Sequence, residues 1–369
     1  MKKYNLLILS LLINTIALAQ KPNYNLIIGT YTNTGKSEGI YTYNFNSLSG
    51  NTKLKAITKD VANPSYLALS ADKKFAYAVN ETGETSTISA FKYNAISGKL
   101  TFINKVSSEG ADPCYITVRG QNVIVANYSG GTIAVFKRNA NGSLTAAVQV
   151  IKHTGKSIDP KGRQESAHVH MVKFTPDGKY LICNDLGEDR VYTYAYNPTN
   201  KNTVLALKSV LSTNAGSGPR HIAFSPNGKF AYLAHEFNGS ITGFFYTNGS
   251  LKKIQEIGTT DKSFTGKIDA ADIHVSADGK FLYETNRGDA NTISVFSILP
   301  TGILRFVETV STLGKGPRNF SIDPSGKFLL VAHQYTNDVV IFKRNSVTGK
   351  LTDSGKRIEV GAPVCLIFQ

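Results

Sequence analysis

The chain of 369 residues has no tryptophan, two methionines and three cysteines. Cys114, Cys183 and Cys365 are too few for a disulfide framework and lack the spacing of a paired-cysteine metal site. Each lies in an apolar stretch, so buried free thiols are expected. Acidic residues are also in the minority: 26 Asp and Glu face 41 Lys and Arg, a formal charge of +15. The lysines are scattered over turn sequences such as residues 71–74 and 136–139, which describes a solvated basic surface and argues against nucleic-acid binding. No stretch after the first twenty residues is apolar enough to cross a bilayer. No segment carries a convincing helical period either.

Glycine, tyrosine and phenylalanine are abundant instead, at 32, 18 and 19 residues. That composition suits strands joined by tight turns. The first residues, "MKKYNLLILSLLINTIALAQ", combine Lys2 and Lys3, a short apolar run and a small-x-small site at Ala17 and Ala19. They predict a signal peptide over residues 1–19, cleavage before Gln20, and a mature protein exported to the periplasm or beyond without stable membrane insertion.

The remaining chain, residues 20–369, repeats one pattern. Strand starts align at Pro64, Pro113, Val169, Pro219, Ala270, Pro317 and Pro363, spaced 46 to 56 residues apart. A turn such as "DGK" (177–179), "NGK" (227–229) or "SGK" (325–327) follows, then an alternating apolar strand, then two more strands split by "GxL" turns. Four short strands per unit at this period predict an all-β, seven-bladed β-propeller in a single domain. The last unit stops after one strand while residues 25–31 look like a second strand. The C-terminal strand is therefore expected to join the N-terminal blade and close the ring.

In a propeller the first strand of each blade lines the central channel. The slot after each strand start holds Ser65, Cys114, His170, Arg220, Ala271, Arg318 and Val364. A second slot, ending the next strand, holds Glu81, Leu186, Glu236, Arg287 and Gln334, with Tyr128 near it. Arginines hold carboxylate, phosphate or a developing oxyanion through forked hydrogen bonds. His170, Glu236, Arg220 and Arg287 are therefore the candidates for catalysis by acid–base chemistry without metal or cofactor. His168, Arg163, Arg318, Glu81, Gln334 and Tyr128 are the candidates for substrate binding, Arg163 from the long loop over residues 153–168. His221 is expected to face away from Arg220 and to pack between blades; His235, His333 and His274 are expected in blade cores. "GKSEG" (35–39) and "TGKS" (154–157) lack the strand–helix context of a nucleophile elbow or a phosphate loop.

"RQESAHVH" (163–170), "NDLGEDRV" (184–191), "GPRHIAFSPNGKFAYLAHE" (218–236), "NRG" (286–288) and "GPRNF" (316–320) together resemble the seven-bladed propeller lactonases, which include bacterial 6-phosphogluconolactonases and fungal carboxymuconate cyclases. The resemblance covers nearly the whole mature chain. It implies an active-site histidine at His170, arginines at Arg220 and Arg287, and a glutamate at Glu236. Ala167, His235, His333, Tyr115 and Asn319 depart from the family's usual residues, which bears on the substrate. The expected function is hydrolysis of an anionic or sugar-acid lactone by a monomer. A muconate-cyclase-like isomerase and a non-catalytic ligand-binding propeller are the alternatives.

Overall fold

Four of the blades are organised around a hydroxyl at the first turn: Ser70, Thr175, Ser225 and Ser276. Thr175 Oγ1 donates to Asp177 Oδ1 (2.6 Å), and that carboxylate accepts from the Lys179 amide (3.0 Å). Ser225 with Asn227 and Ser276 with Asp278 repeat the arrangement. The next residue is glycine because the chain must turn there with positive φ, 66° at Gly178 and 68° at Gly228. The "GxL" glycines solve a different problem, the docking of one blade on the next. A Cβ on Gly302 would stand 2.2 Å from the Phe230 ring, so only glycine lets the blades approach this closely. Its carbonyl accepts from Tyr232 Oη at 3.0 Å. Phe281, Tyr283 and Gly349, and Phe75, Tyr77 and Gly142, form the same pin.

The computed structural model describes residues 22–158, 162–261 and 263–369. The signal peptide expected over residues 1–19 lies outside them. Among the described residues, 28 strands form seven four-stranded antiparallel sheets, and the sole helical element is the 3-10 turn Gly83–Thr85. No helix among them is long and apolar enough to cross a membrane. The first blade is completed by the C-terminal strand Pro363–Phe368, which pairs with Asn23–Thr30 through Leu26 to Phe368 and Ile28 to Leu366. Apolar side chains fill the space between blades; Ile28 and Leu366, for example, pack with Leu330 and Ala332 of the seventh blade.

The innermost strands carry a feature that alternation alone does not predict. In blade 5 Pro219 pairs with His235 and His221 with Ala234, so Arg220 bulges out of register. The same shift isolates Cys114, His170, Arg318 and Val364. A bulge inserts one residue and re-aims its neighbours. Arg220 and His221 therefore both line the channel cavity, contrary to the expectation that His221 faces the opposite side. His274 also departs from expectation: its side chain is 37% exposed and its Nε2 lies 2.9 Å from Asp272 Oδ2, so it is not a core residue. His235 and His333 are buried within their blades, as their position in the repeat implies.

Candidate functional site

Glu236 ends the second strand of blade 5, and its side chain is almost fully buried. Three guanidinium groups converge on it. Arg220 Nε donates to Oε2 at 2.8 Å, while Arg163 Nη2 (2.6 Å) and Arg287 Nη2 (3.1 Å) both reach Oε1. Burial alone would raise this carboxyl, but Arg287, Arg163 and Arg220 overcome it and hold Glu236 well below the ordinary range. Arg220 experiences the opposite balance. Burial and the neighbouring Arg287 outweigh Glu236 and lower it to about 10, still charged at neutral pH. The two shifts are consistent because the cluster has more positive than negative charge: the surplus favours the anion and penalises the buried cation.

His170 faces this cluster with Nε2, 4.0 Å from Glu236 Oε2. Burial, then Arg220 and His221, lower it well below the usual imidazole range, so it is neutral at physiological pH. Its Nδ1 side faces Cys114 Sγ at 3.8 Å. The Cys114 thiol donates to the His170 carbonyl at 3.3 Å, and burial pushes it up, as it does Cys183 and Cys365. All three cysteines are free and buried, as their apolar surroundings imply.

Arg163 arrives from the loop between blades 3 and 4, and a buried network holds that loop in place. His153 bonds Asp185 Oδ2 (2.6 Å) and the Tyr194 hydroxyl (2.8 Å). Glu188 accepts from the Gly155 amide at 2.6 Å and from Tyr192. These three residues have the composition of a metal cluster, yet each already has protein partners and together they anchor the loop. Past this anchor, Arg163 also donates to Tyr128 Oη at 3.1 Å and lies over the Phe237 ring. Tyr128 in turn stacks on His168 (centroids 4.4 Å) and meets His170 edge to face. His168 thus adjoins the cluster through Tyr128.

A second polar group lies nearby on blades 1, 2 and 7. Tyr31 donates to Glu81 Oε2 at 2.8 Å, and the Arg318 guanidinium lies 5.6 Å from the Tyr31 ring centre. Burial would lower Arg318, but Tyr31 and Glu81 hold it up. Among the described residues, Arg318 makes no hydrogen bond or ion pair. Gln334 occupies the matching strand end in blade 7. Its Oε1 is buried without a hydrogen-bond partner among the described residues.

Two acidic residues went unnoticed in the sequence. Asp269 Oδ1 lies 3.2 Å from Arg287 Nη2 and 3.5 Å from Arg163 Nη1, so it shares both arginines with Glu236. Burial raises it and Glu236 raises it further, against the pull of Arg287 and Arg163. The signal was present in the slot just before each strand start, which also holds Asn63, Asp112 and His168. Asp272, inside the register shift of blade 6, is buried and bonded to His221, His274 and Asn319.

The family model for lactonases with a seven-bladed β-propeller matches residues 25–368. The chain belongs to the seven-bladed β-propeller lactonase family. It is 36% identical to 6-phosphogluconolactonase of Bacillus subtilis over 92% of this chain and 97% of that one. The periplasmic gluconolactonase of Pseudomonas aeruginosa superposes with a TM-score of 0.90 at 38% identity, covering 94% of this chain and 99% of the other. A Bacteroides fragilis chain superposes with a TM-score of 0.91 at 42% identity, over 95% and 99% of the two chains. The resemblance noted from sequence motifs is thus a family membership over almost the whole described fold.

Proposed function

We propose that the protein opens a sugar-acid lactone by water addition at the mouth of the channel, with His170 as the base. The observation that carries this reading is the positive surplus at one carboxylate. Arg163, Arg220 and Arg287 all ligate Glu236, and Arg318 lies over the Tyr31 ring with no hydrogen bond or ion pair among the described residues. Such a surplus suits a substrate that brings negative charge or develops it in the transition state. The family's named hydrolases support the same reaction class.

The 4.0 Å gap between His170 Nε2 and Glu236 Oε2 is too long for a hydrogen bond. It suits a water held by both, each contact about 2.8 Å. Neutral His170 takes the water proton on Nε2 as oxygen bonds to the lactone carbonyl carbon. Arg287 and Arg163 face the resulting oxyanion. The ring C–O bond then breaks, His170 returns its proton to the leaving alkoxide, and the product is the hydroxy acid. Glu236 stays ionised throughout, orienting the arginines and the water, while Arg220 positions Glu236. Arg318 takes an anionic group on the substrate. No metal or cofactor has a part in these steps.

We place this reaction outside the cytoplasm. The leader-like residues 1–19 support export, and a related structure is that of a periplasmic gluconolactonase. The test is acid release from a panel of phosphorylated, carboxylated and neutral sugar lactones. Turnover with preference for an anionic lactone is expected; no turnover on any member would end the proposal.

A further inference from the structure

Beneath the arginine cluster the channel narrows to a cavity of about 10 Å³, lined by Ser65, Cys114, His170, Arg220, His221 and Arg318 among others. That is room for one water centre. Two polar atoms buried in this region, Ser65 Oγ and His221 Nε2, have no partner among the described residues. An orphaned polar atom is costly unless water meets it.

The protonation of His221 follows from its other nitrogen. Nδ1 lies 2.9 Å from Asp272 Oδ1. Asp272 also accepts from His274 Nε2 (2.9 Å), Asn319 Nδ2 (2.5 Å) and the Ile273 amide (2.9 Å). Burial would raise Asp272, but its histidine partners keep it well below the usual range, so it is a carboxylate that only accepts. The hydrogen between them therefore belongs to His221 Nδ1. Burial and Arg220 lower His221 to about 4, against Asp272, leaving a neutral ring whose Nε2 carries a lone pair. The groups facing it are Arg220 on its own strand, Lys173 and His170 on blade 4, and Asp272 with His274 on blade 6. Tyr66 and Tyr115 meet the ring edge to face from blades 2 and 3, and Arg318 and Asn319 of blade 7 complete the cavity wall.

We propose that one water in this cavity, held by His221 Nε2 and Ser65 Oγ, accepts from His170 Nδ1, so that Asp272 and His221 fix the tautomer of His170. The rings of His170 and His221 stand edge to face with centroids 5.2 Å apart, and Cys114, which lies on the Nδ1 side of His170, lines the same cavity. Cys114 Sγ is nearer the His170 carbonyl (3.3 Å) than Nδ1 (3.8 Å), so we assign its proton to the carbonyl. The water donates one O–H to the lone pair on His221 and the other to Ser65 Oγ, so its own lone pair accepts from His170 Nδ1–H. His170 Nε2 is then the unprotonated nitrogen, turned toward Glu236. Asp272 and His221 are positioning residues: they touch no substrate, but they decide which nitrogen of His170 can act as a base.

The inference rests on the role of His170 proposed above. Two experiments test it on the full mature chain. A crystal structure resolving ordered water should place one within hydrogen-bond distance of His221 Nε2 and Ser65 Oγ; an empty cavity overturns the proposal. In Asp272→Asn the amide can donate to His221 Nδ1, reversing the chain of donors. Turnover should fall about tenfold or more with KM little changed, and ¹⁵N chemical shifts should move the His170 hydrogen from Nδ1 to Nε2. Ser65→Val, which fills the cavity, should give the same loss if Asp272→Asn does not fold. Parental turnover and pH profile in the folded variants, or an Nε2–H His170 in the parent, overturn the proposal. If His170→Gln retains full turnover, the assigned base is wrong. If His170→Gln is inactive while the other variants behave like the parent, only the present inference fails.

Discussion

Arg163, carried on a loop between blades 3 and 4, donates to Glu236 of blade 5 across 2.6 Å. It is the most exposed of the three arginines on that carboxylate, with 35% of its side chain accessible. In the proposed reaction it is the arginine that substrate meets first. Arg163→Ala is expected to raise KM for an anionic lactone by about tenfold, consistent with loss of one charge-assisted contact, with the melting temperature little changed. Steady-state kinetics beside a thermal melt check this; a change in the melt alone would assign Arg163 to structure.

Glu236→Gln removes the charge that three guanidinium groups share. A catalytic carboxylate is commonly replaced by its amide at little cost to folding, but here the arginines are left facing one another. Breaking a buried ion pair from one side costs about 3–5 kcal/mol. The sign of the pH effect follows from the depressed folded-state value of Glu236. Its contribution is present above the unfolded carboxyl value of about 4.3 and is lost as pH falls further toward the folded value. Denaturant melts at pH 7 and in this acidic range should therefore show the gap between parent and variant closing in acid.

Glu284 behaves in the opposite sense. Its carboxyl group is fully buried, and burial raises it well above the ordinary value, outweighing Thr259, Arg220 and Arg287. The folded state holds this proton more tightly than the unfolded chain. Glu284 therefore takes stability from the parent as pH rises above about 4.3. Glu284→Gln should be more stable than the parent at neutral and alkaline pH, with the advantage fading in acid. An unchanged difference from acid to alkaline pH would contradict the assignment.

The fold was more legible than the site. Turn triplets, strand starts and the split C-terminal unit define seven blades and their closure because each signal recurs, and repetition averages out local ambiguity. The ring of His170, Arg220 and Arg318 was legible for the same reason. His221 and Asp272 were not, because alternation along a strand assigns neighbours to opposite faces and the bulge at Arg220 breaks that alternation. Asp269 was hidden in the slot before the strand start, where glycine stands in blades 5 and 7 and the residue type does not recur. Arg163 was placed at the mouth by the length of its loop, but its bond to Glu236 depends on the His153–Asp185 anchor, which links residues 32 positions apart.

Closure of the ring gives a test of the fold itself. Removing the strand Pro363–Phe368 would unpair Asn23–Thr30 and open the first blade. The loss should be several kcal/mol, a large part of a typical stability of about 5–15 kcal/mol. Expression and melting of the truncated chain measure it, and a parental melt would be incompatible with closure by this strand.

The most direct test of the central claim is the turnover of His170→Gln on whichever lactone the parent hydrolyses. His170 is neutral, buried beside Glu236 and assigned the proton transfers at both ends of the reaction. The account predicts a fall in kcat of about 10²–10⁴ with an unchanged fold by circular dichroism. Parental turnover in a folded His170→Gln protein would contradict it.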